Sequence, residues 1–137
     1  MQKKINTAGL LSIRNNKLLL AYSKNKQCFY LPGGKINAGE TAEMALCREI
    51  AEELNVELTA SELEYYTHIT APAYGEQEGI IMEQDCFLIS RGIDPVAAAE
   101  IGELRYFTLA RYLQESNNAP GAVAILEKLL LAGMIDG

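Results

Sequence analysis

Apolar and polar residues follow two rhythms along this chain, and the change of rhythm separates strands from helices. Residues 4–13 (KINTAGLLSI) read as a strand, and residues 18–22 are a continuous apolar run of strand length. Arg14-Asn15-Asn16-Lys17 lies between them as a turn, because Asn tolerates positive φ, so the two strands are expected to form a hairpin. A polar loop, 23–27, leads to a short strand at 28–31 that stops at Pro32-Gly33-Gly34. There the period lengthens: Ala42, Leu46, Ile50 and Leu54 recur every fourth residue and mark the core side of a helix. Thr41 is a good N-cap, Glu43 suits the first turn, and Asn55 fits the left-handed position past the end.

Residues 56–59 fit either strand or loop, and residues 63–71, rich in Tyr, Thr and Ile, predict a strand. After a loop at 72–79, residues 80–89 predict its hairpin partner. A loop at 90–95, a strand at 104–109 and a short helix at 110–115 follow. Residues 116–120 introduce a final helix with Val123, Leu126, Leu129 and Leu130 as its apolar stripe. No repeat, low-complexity tract or long linker divides the chain, which predicts one α/β layered domain over residues 1–137 with a mixed sheet.

Composition narrows the partners. Net charge is −6 and no Lys/Arg cluster stands out, which argues against a nucleic-acid polymer or an anionic membrane as partner. A small phosphorylated ligand stays open, since a cation can bridge two negative parties. Cys28, Cys47 and Cys86 are an odd number without a C-x-x-C pair and read as thiols in a reducing compartment. The apolar run after Lys3 and Lys4 is too short for a signal peptide and no run approaches transmembrane length, so a cytoplasmic protein is expected, as monomer or homodimer.

The chemistry gathers on the central helix. Glu49, Glu52 and Glu53, at i, i+3 and i+4, share one face at about 100° per residue. On a helical wheel Glu49 falls about 20° from Ala42, and Glu53 about 20° from Leu46, at the edge of the core stripe. Like charges so placed repel, and partial burial worsens it. Either the carboxylates take up protons or a hard divalent ion such as Mg²⁺ or Mn²⁺ holds them. A solvated acidic helix end fits the spacing alone, and Arg48 can pair with Glu52. The Gly33-Gly34 turn before the helix lets a ligand approach the backbone, with Lys35 beside it to meet a phosphate.

Residues 34–56 resemble the Nudix box. That signature runs Gly, five residues, Glu, seven residues, then Arg-Glu-aliphatic-any-Glu-Glu-any-Gly-aliphatic. Here Gly34 is followed by Glu40 and then by Arg48-Glu49-Ile50-Ala51-Glu52-Glu53-Leu54-Asn55-Val56. One position departs: Asn55 stands where the family has Gly, and Asn is the next best residue there.

The resemblance implies a Nudix-type α/β/α sandwich with a loop-helix-loop motif. It implies divalent metal on Glu49, Glu52 and Glu53, with the Gly33 carbonyl as a further ligand. Arg48 and Glu40 would orient the carboxylates, Gly34 and Lys35 would bind substrate, and Glu53 or Glu52 would take a proton from the attacking water. The reaction implied is hydrolysis of the diphosphate linkage of a nucleotide or nucleoside diphosphate derivative; the alternative is a non-catalytic nucleotide-binding module. Family members often add a carboxylate from a loop outside the box: Glu100 is the first candidate, with Glu103 and Glu83 as alternatives. Asn118 with Pro120 resembles the Asn-x-Pro with which oxidised-purine nucleotide pyrophosphatases read the base. His68, the single histidine, reads as structural, and Tyr65, Tyr66, Tyr74 and Tyr106 read as packing or base-stacking groups.

Overall fold

The computed structural model describes residues 3–76 and 78–137. Two four-stranded sheets carry the chain. The first has the order β5-β1-β7-β6, from β1 (Lys3–Leu11), β5 (Gly33–Lys35), β6 (Leu63–Pro72) and β7 (Ile80–Ile89). It is mixed: β1 and β7 run parallel, while β5 and β6 join antiparallel at the two edges. The second is antiparallel and is built on β3 (Lys17–Ser23), with β2 (Ile13–Arg14), β4 (Cys28–Tyr30) and β8 (Ile101–Phe107) paired to it.

The expected hairpin therefore needs correction. The run 4–13 breaks at Ser12: its longer part joins the first sheet, and Ile13–Arg14 alone pairs with β3. Asn15 (φ 51°) and Asn16 (φ 61°) both take the left-handed conformation that such a tight turn requires. A second correction falls at Gly33–Lys35, expected only as a stop but paired antiparallel with β1 as β5. The strand expected at 104–109 lies at Ile101–Phe107, and residues 56–59 are loop. The hairpin of β6 and β7 forms as expected, with a bulge between Tyr65 and Thr67.

Helix α1 (Ala42–Leu54) begins under Thr41, whose side chain accepts from Met44 N–H, and ends at Asn55 (φ 54°, ψ 39°). It buries Leu46, Ile50 and Leu54 against Ala8, Leu10, Leu19 and Phe87. After the short helix α2 (Leu109–Tyr112), α3 (Pro120–Leu131) covers the other side, burying Ala122, Ile125, Leu126 and Leu129 with Leu11, Leu18, Phe29 and Phe107. Of the stripe expected on α3, Leu126 and Leu129 are buried, while Val123 and Leu130 are only half-buried; Ala122 and Ile125 complete the inner face. Strand parity explains the two cores: Leu18 and Leu20 face α3, and Leu19 faces α1. The result is an α/β/α sandwich. No helix among the described residues is long and apolar enough to cross a membrane.

Candidate active site

A cavity of about 550 Å³ opens between residues of both sheets, and Gly33, Gly34, Glu49, Glu53 and Glu100 all line it. The glycine turn is shaped by its strand register. Leu10 N–H donates to the Pro32 carbonyl at 2.8 Å and Ile36 N–H to the Asn6 carbonyl at 2.9 Å. Ala8 and Gly34 are therefore the hydrogen-bonded pair, and Gly33 turns its own amide and carbonyl to the free edge of β5. That amide donates to Glu53 Oε1 at 3.2 Å. Neither glycine leaves room for a side chain. A Cβ on Gly33, at φ 142°, would lie 2.0 Å from the Ala8 carbonyl oxygen, and one on Gly34 would lie 2.5 Å from the Glu49 carboxylate.

Glu53 is the most confined carboxylate, at 9% exposure. Burial pushes its pKa up to about 8, the Gly33 amide opposes that rise, and the charges of Glu49, Glu100 and Glu52 add to it. Glu49 is half-buried and rests on Gly34, held by Arg48 Nη1 at 2.8 Å. Arg48 also grips Glu40 with two bonds, Nε to Oε2 at 2.8 Å and Nη2 to Oε1 at 2.9 Å, and donates to the Lys35 carbonyl at 3.1 Å. These bonds to Arg48, with one from Asn37 N–H, hold the Glu40 carboxyl down at about 2. The partner of Arg48 is thus Glu40 and Glu49, not Glu52. Glu52 is exposed and does not line the cavity.

Glu100 reaches the same cavity from the loop before β8, where Asn25 Nδ2 donates to it at 2.9 Å and Ser23 Oγ at 3.3 Å. A bulge in the pairing of β3 with β8, between Tyr22 and Ser23, sets that corner. Glu103 pairs with Arg105 instead. Glu83 takes hydrogen bonds from Thr70 and His68, and His68 also meets Asp85 at 2.8 Å, so the histidine bridges two strands away from the cavity lining. Asn118 is likewise elsewhere: its Nδ2 donates to the Tyr112 carbonyl at 2.8 Å.

Lys35 lines the cavity, and Lys26, which the sequence did not single out, joins it; both approach Glu76, at 3.8 and 3.5 Å. Tyr30 and Tyr74 flank them edge to face, with Tyr30 Oη donating to the Tyr74 carbonyl at 3.1 Å. Of the tyrosines expected to stack or pack, Tyr74 alone lines the cavity. Tyr65 packs on Phe87, Tyr66 joins the core under α3, and Tyr106 joins the core under α1.

The donor set fits a hard divalent ion: oxygen atoms only, on three carboxylates around one cavity, one of them driven toward protonation in the absence of a cation. Among the described residues no three His, Cys, Asp or Glu side chains already stand at ligand distance. Each carboxylate is engaged by an internal donor: Arg48 on Glu49, Gly33 N–H on Glu53, and Ser23 with Asn25 on Glu100.

The NUDIX domain family model matches residues 3–129. An ADP-ribose pyrophosphatase from Methanocaldococcus jannaschii is 54% identical over 43 residues, which are 29% of this chain and 25% of that protein. The chain thus matches about a quarter of that relative's length. Among solved structures, a MutT NUDIX hydrolase from Burkholderia pseudomallei superposes with a TM-score of 0.72 at 22% identity, over 93% of this chain and 98% of that one. A bifunctional NMN adenylyltransferase/ADP ribose pyrophosphatase from Francisella tularensis, complexed with AMP and Mn ion, gives 0.69 at 21% identity, over 96% of this chain and 42% of that one. Since the family match runs through both sheets as well as the glycine turn and α1, the chain belongs to the Nudix family.

Proposed function

We propose that this chain is a divalent-metal-dependent pyrophosphohydrolase that cleaves the diphosphate linkage of a small nucleoside diphosphate derivative. The observation that carries the reading is Glu53, buried at the cavity wall with its pKa raised to about 8 beside Glu49 and Glu100. A fold does not retain a buried carboxylate next to two others for stability; an ion that neutralises them gives the cluster a use. Glu49, Glu53, Glu100 and the Gly33 carbonyl would hold Mg²⁺ or Mn²⁺, and Glu52, outside the cavity lining, would have to turn inward to join them. When bound, such an ion neutralises diphosphate charge and lowers the pKa of water. The manganese in the Francisella structure is consistent with that choice.

The chain's own residues divide the remaining work. Arg48 fixes Glu49 and, through Glu40, the 37–40 loop. Lys35 and Lys26 stand where phosphate oxygens would enter and can exchange Glu76 for them. Of the two carboxylates named as proton acceptors, Glu53 lines the cavity and Glu52 does not, so Glu53 is assigned the proton of the attacking water. Cys28, Cys47 and Cys86 are free thiols, which suits a cytoplasmic location.

The test is phosphate or monophosphate release from a panel of nucleoside triphosphates, nucleotide sugars and ADP-ribose, with Mg²⁺, with Mn²⁺ and with chelator, followed by product analysis. Turnover that needs the ion and disappears in Glu53→Gln is expected. Absence of turnover on every substrate, in protein shown by calorimetry to bind the ion, refutes the proposal.

A further inference from the structure

Gln84 is a polar side chain of the cavity that neither the family signature nor the carboxylate cluster accounts for. It lies on β7, on the side of that strand that also carries Met82 into the cavity, and is 7% exposed. Its carboxamide rests over Gly9: a Cβ there would come within 3.1 Å of both the amide carbon and Nε2. Among the described residues its amide group has one hydrogen-bond partner, the long contact from Cys86 Sγ to Oε1 at 3.9 Å. Gln84 lines the cavity directly. A nearly buried carboxamide with unused donors and an unused acceptor lone pair is unfavourable unless a ligand completes it.

The surroundings suit a planar ligand. A second, water-sized recess of about 30 Å³ shares Gln84, Met82, Tyr30 and Tyr74 with the cavity and is bounded by Ala119, Gly121 and Ala122 at the start of α3. Pro120 has no N–H and Ala119 N–H is taken by Tyr112 Oη at 3.0 Å, which leaves the Gly121 and Ala122 amides without helical acceptors. Tyr30 and Tyr74 line the same space. Asn118, which the sequence pointed to as the base reader, directs its Nδ2 to the Tyr112 carbonyl and lines neither space.

We propose that Gln84 reads the hydrogen-bonding edge of the substrate's nucleobase. The inference rests on the nucleotide-hydrolase reading and names the residue that sets its base preference. A carboxamide presents a donor and an acceptor side by side, the complement of a base edge with an adjacent acceptor and donor. Adenine and cytosine carry an exocyclic donor beside a ring acceptor, and guanine and uracil the reverse, so a carboxamide held one way round, with Oε1 toward Cys86 Sγ, favours one of these two pairs over the other.

The experiment compares wild type with Gln84→Leu, which keeps the approximate volume and removes both polar atoms. Hydrolysis of ATP, GTP, CTP and UTP is measured with Mg²⁺. In parallel, binding of the four nucleoside 5′-monophosphates is measured by calorimetry without metal. The expected result is a base preference in the wild type, expressed mainly in KM, that flattens at least tenfold in Gln84→Leu. An unchanged preference, or none in the wild type, overturns the role of Gln84 and leaves the hydrolase reading intact. If the wild type hydrolyses nothing, the hydrolase reading fails by itself, and monophosphate binding decides: preference lost in the variant supports the role, and equal or absent binding overturns it. Should Gln84→Leu melt far below wild type, Gln84→Met replaces it in every arm.

Discussion

Exchanging Glu53 for Gln keeps the side chain's volume and an oxygen to accept from Gly33 N–H, and removes the charge. In metal-free protein the carboxyl titrates near 8, against an ordinary value of 4.5. Between those values the unfolded chain releases its proton while the folded chain keeps it. Wild-type stability from this group is therefore full below pH 4.5 and is lost as pH rises toward 8. At about 1.4 kcal/mol per pH unit, that window is wide enough for on the order of 5 kcal/mol. For a domain of this size the change corresponds to at least ~10 °C in melting temperature. The Glu53→Gln variant has no such window. His68, raised by its bonds to Glu83 and Asp85, also loses stabilisation with rising pH, but both proteins share it, so their difference isolates Glu53. Thermal or urea unfolding in chelator from pH 4.5 to 9 should show two curves that meet at acid pH and diverge toward pH 8, with the variant the more stable. Saturating Mg²⁺, at about 100 times its Kd, should return about 2.7 kcal/mol to the wild type and much less to the variant. Parallel stability curves would refute the claim that the cavity wall holds a strained carboxylate.

The two glycines should fail differently. Gly33→Ala combines a positive φ with a Cβ 2.0 Å from the Ala8 carbonyl and should cost roughly 3 kcal/mol or more of stability by denaturant unfolding. Gly34→Ala displaces the Glu49 carboxylate and should lower kcat at least tenfold, with melting within a few degrees of wild type. Arg48→Ala should weaken metal binding or turnover by about tenfold to a hundredfold in kinetics and calorimetry. The same variant should let the Glu40 carboxyl rise from about 2 toward its ordinary 4.5 in an NMR titration. Asn55→Gly should be neutral within a few tenths of a kcal/mol in melting, while Asn55→Val, forced into φ 54°, should cost about 1–2 kcal/mol.

What the sequence revealed follows from how local each determinant is. Thr41, the fourfold apolar spacing and Asn55 fix α1 through contacts within a few residues, and its bounds are legible for that reason. The Asn15-Asn16 turn was legible too, but its strands were not: which part of residues 4–13 pairs with β3 depends on β7, some seventy residues away. The edge strand β5 escaped because two glycines carry no side-chain pattern, and its register exists only against β1. At the site, spacing placed Glu49 and Glu53 at the core edge, as found, but gave Glu52 the same weight. The wheel itself separates them, since Glu52 falls about 160° from Ile50, on the solvent side, and its exposure follows from that. Lys26, Tyr30 and Gln84 gave no signal at all, being ordinary loop and strand residues until two sheets bring them to one cavity.

The placement of Glu100 shows why a repulsive cluster survives in a marginally stable fold. The last carbonyls of α1 have no intrahelical partners. Val96 N–H donates to the Leu54 carbonyl and Ala98 N–H to the Glu53 carbonyl, both at 2.9 Å, so the segment after β7 is bound along the end of the helix. Ile101 N–H then closes on the Ala98 carbonyl at 3.0 Å, and Lys24 N–H takes the Glu100 carbonyl at 3.0 Å. The same backbone bonds that cap the helix thus carry Glu100 to the cavity that Glu53 lines. Separating the two carboxylates would require undoing the cap, which leaves buried carbonyls unpaired. The repulsion is held in place by interactions that the fold needs for another reason.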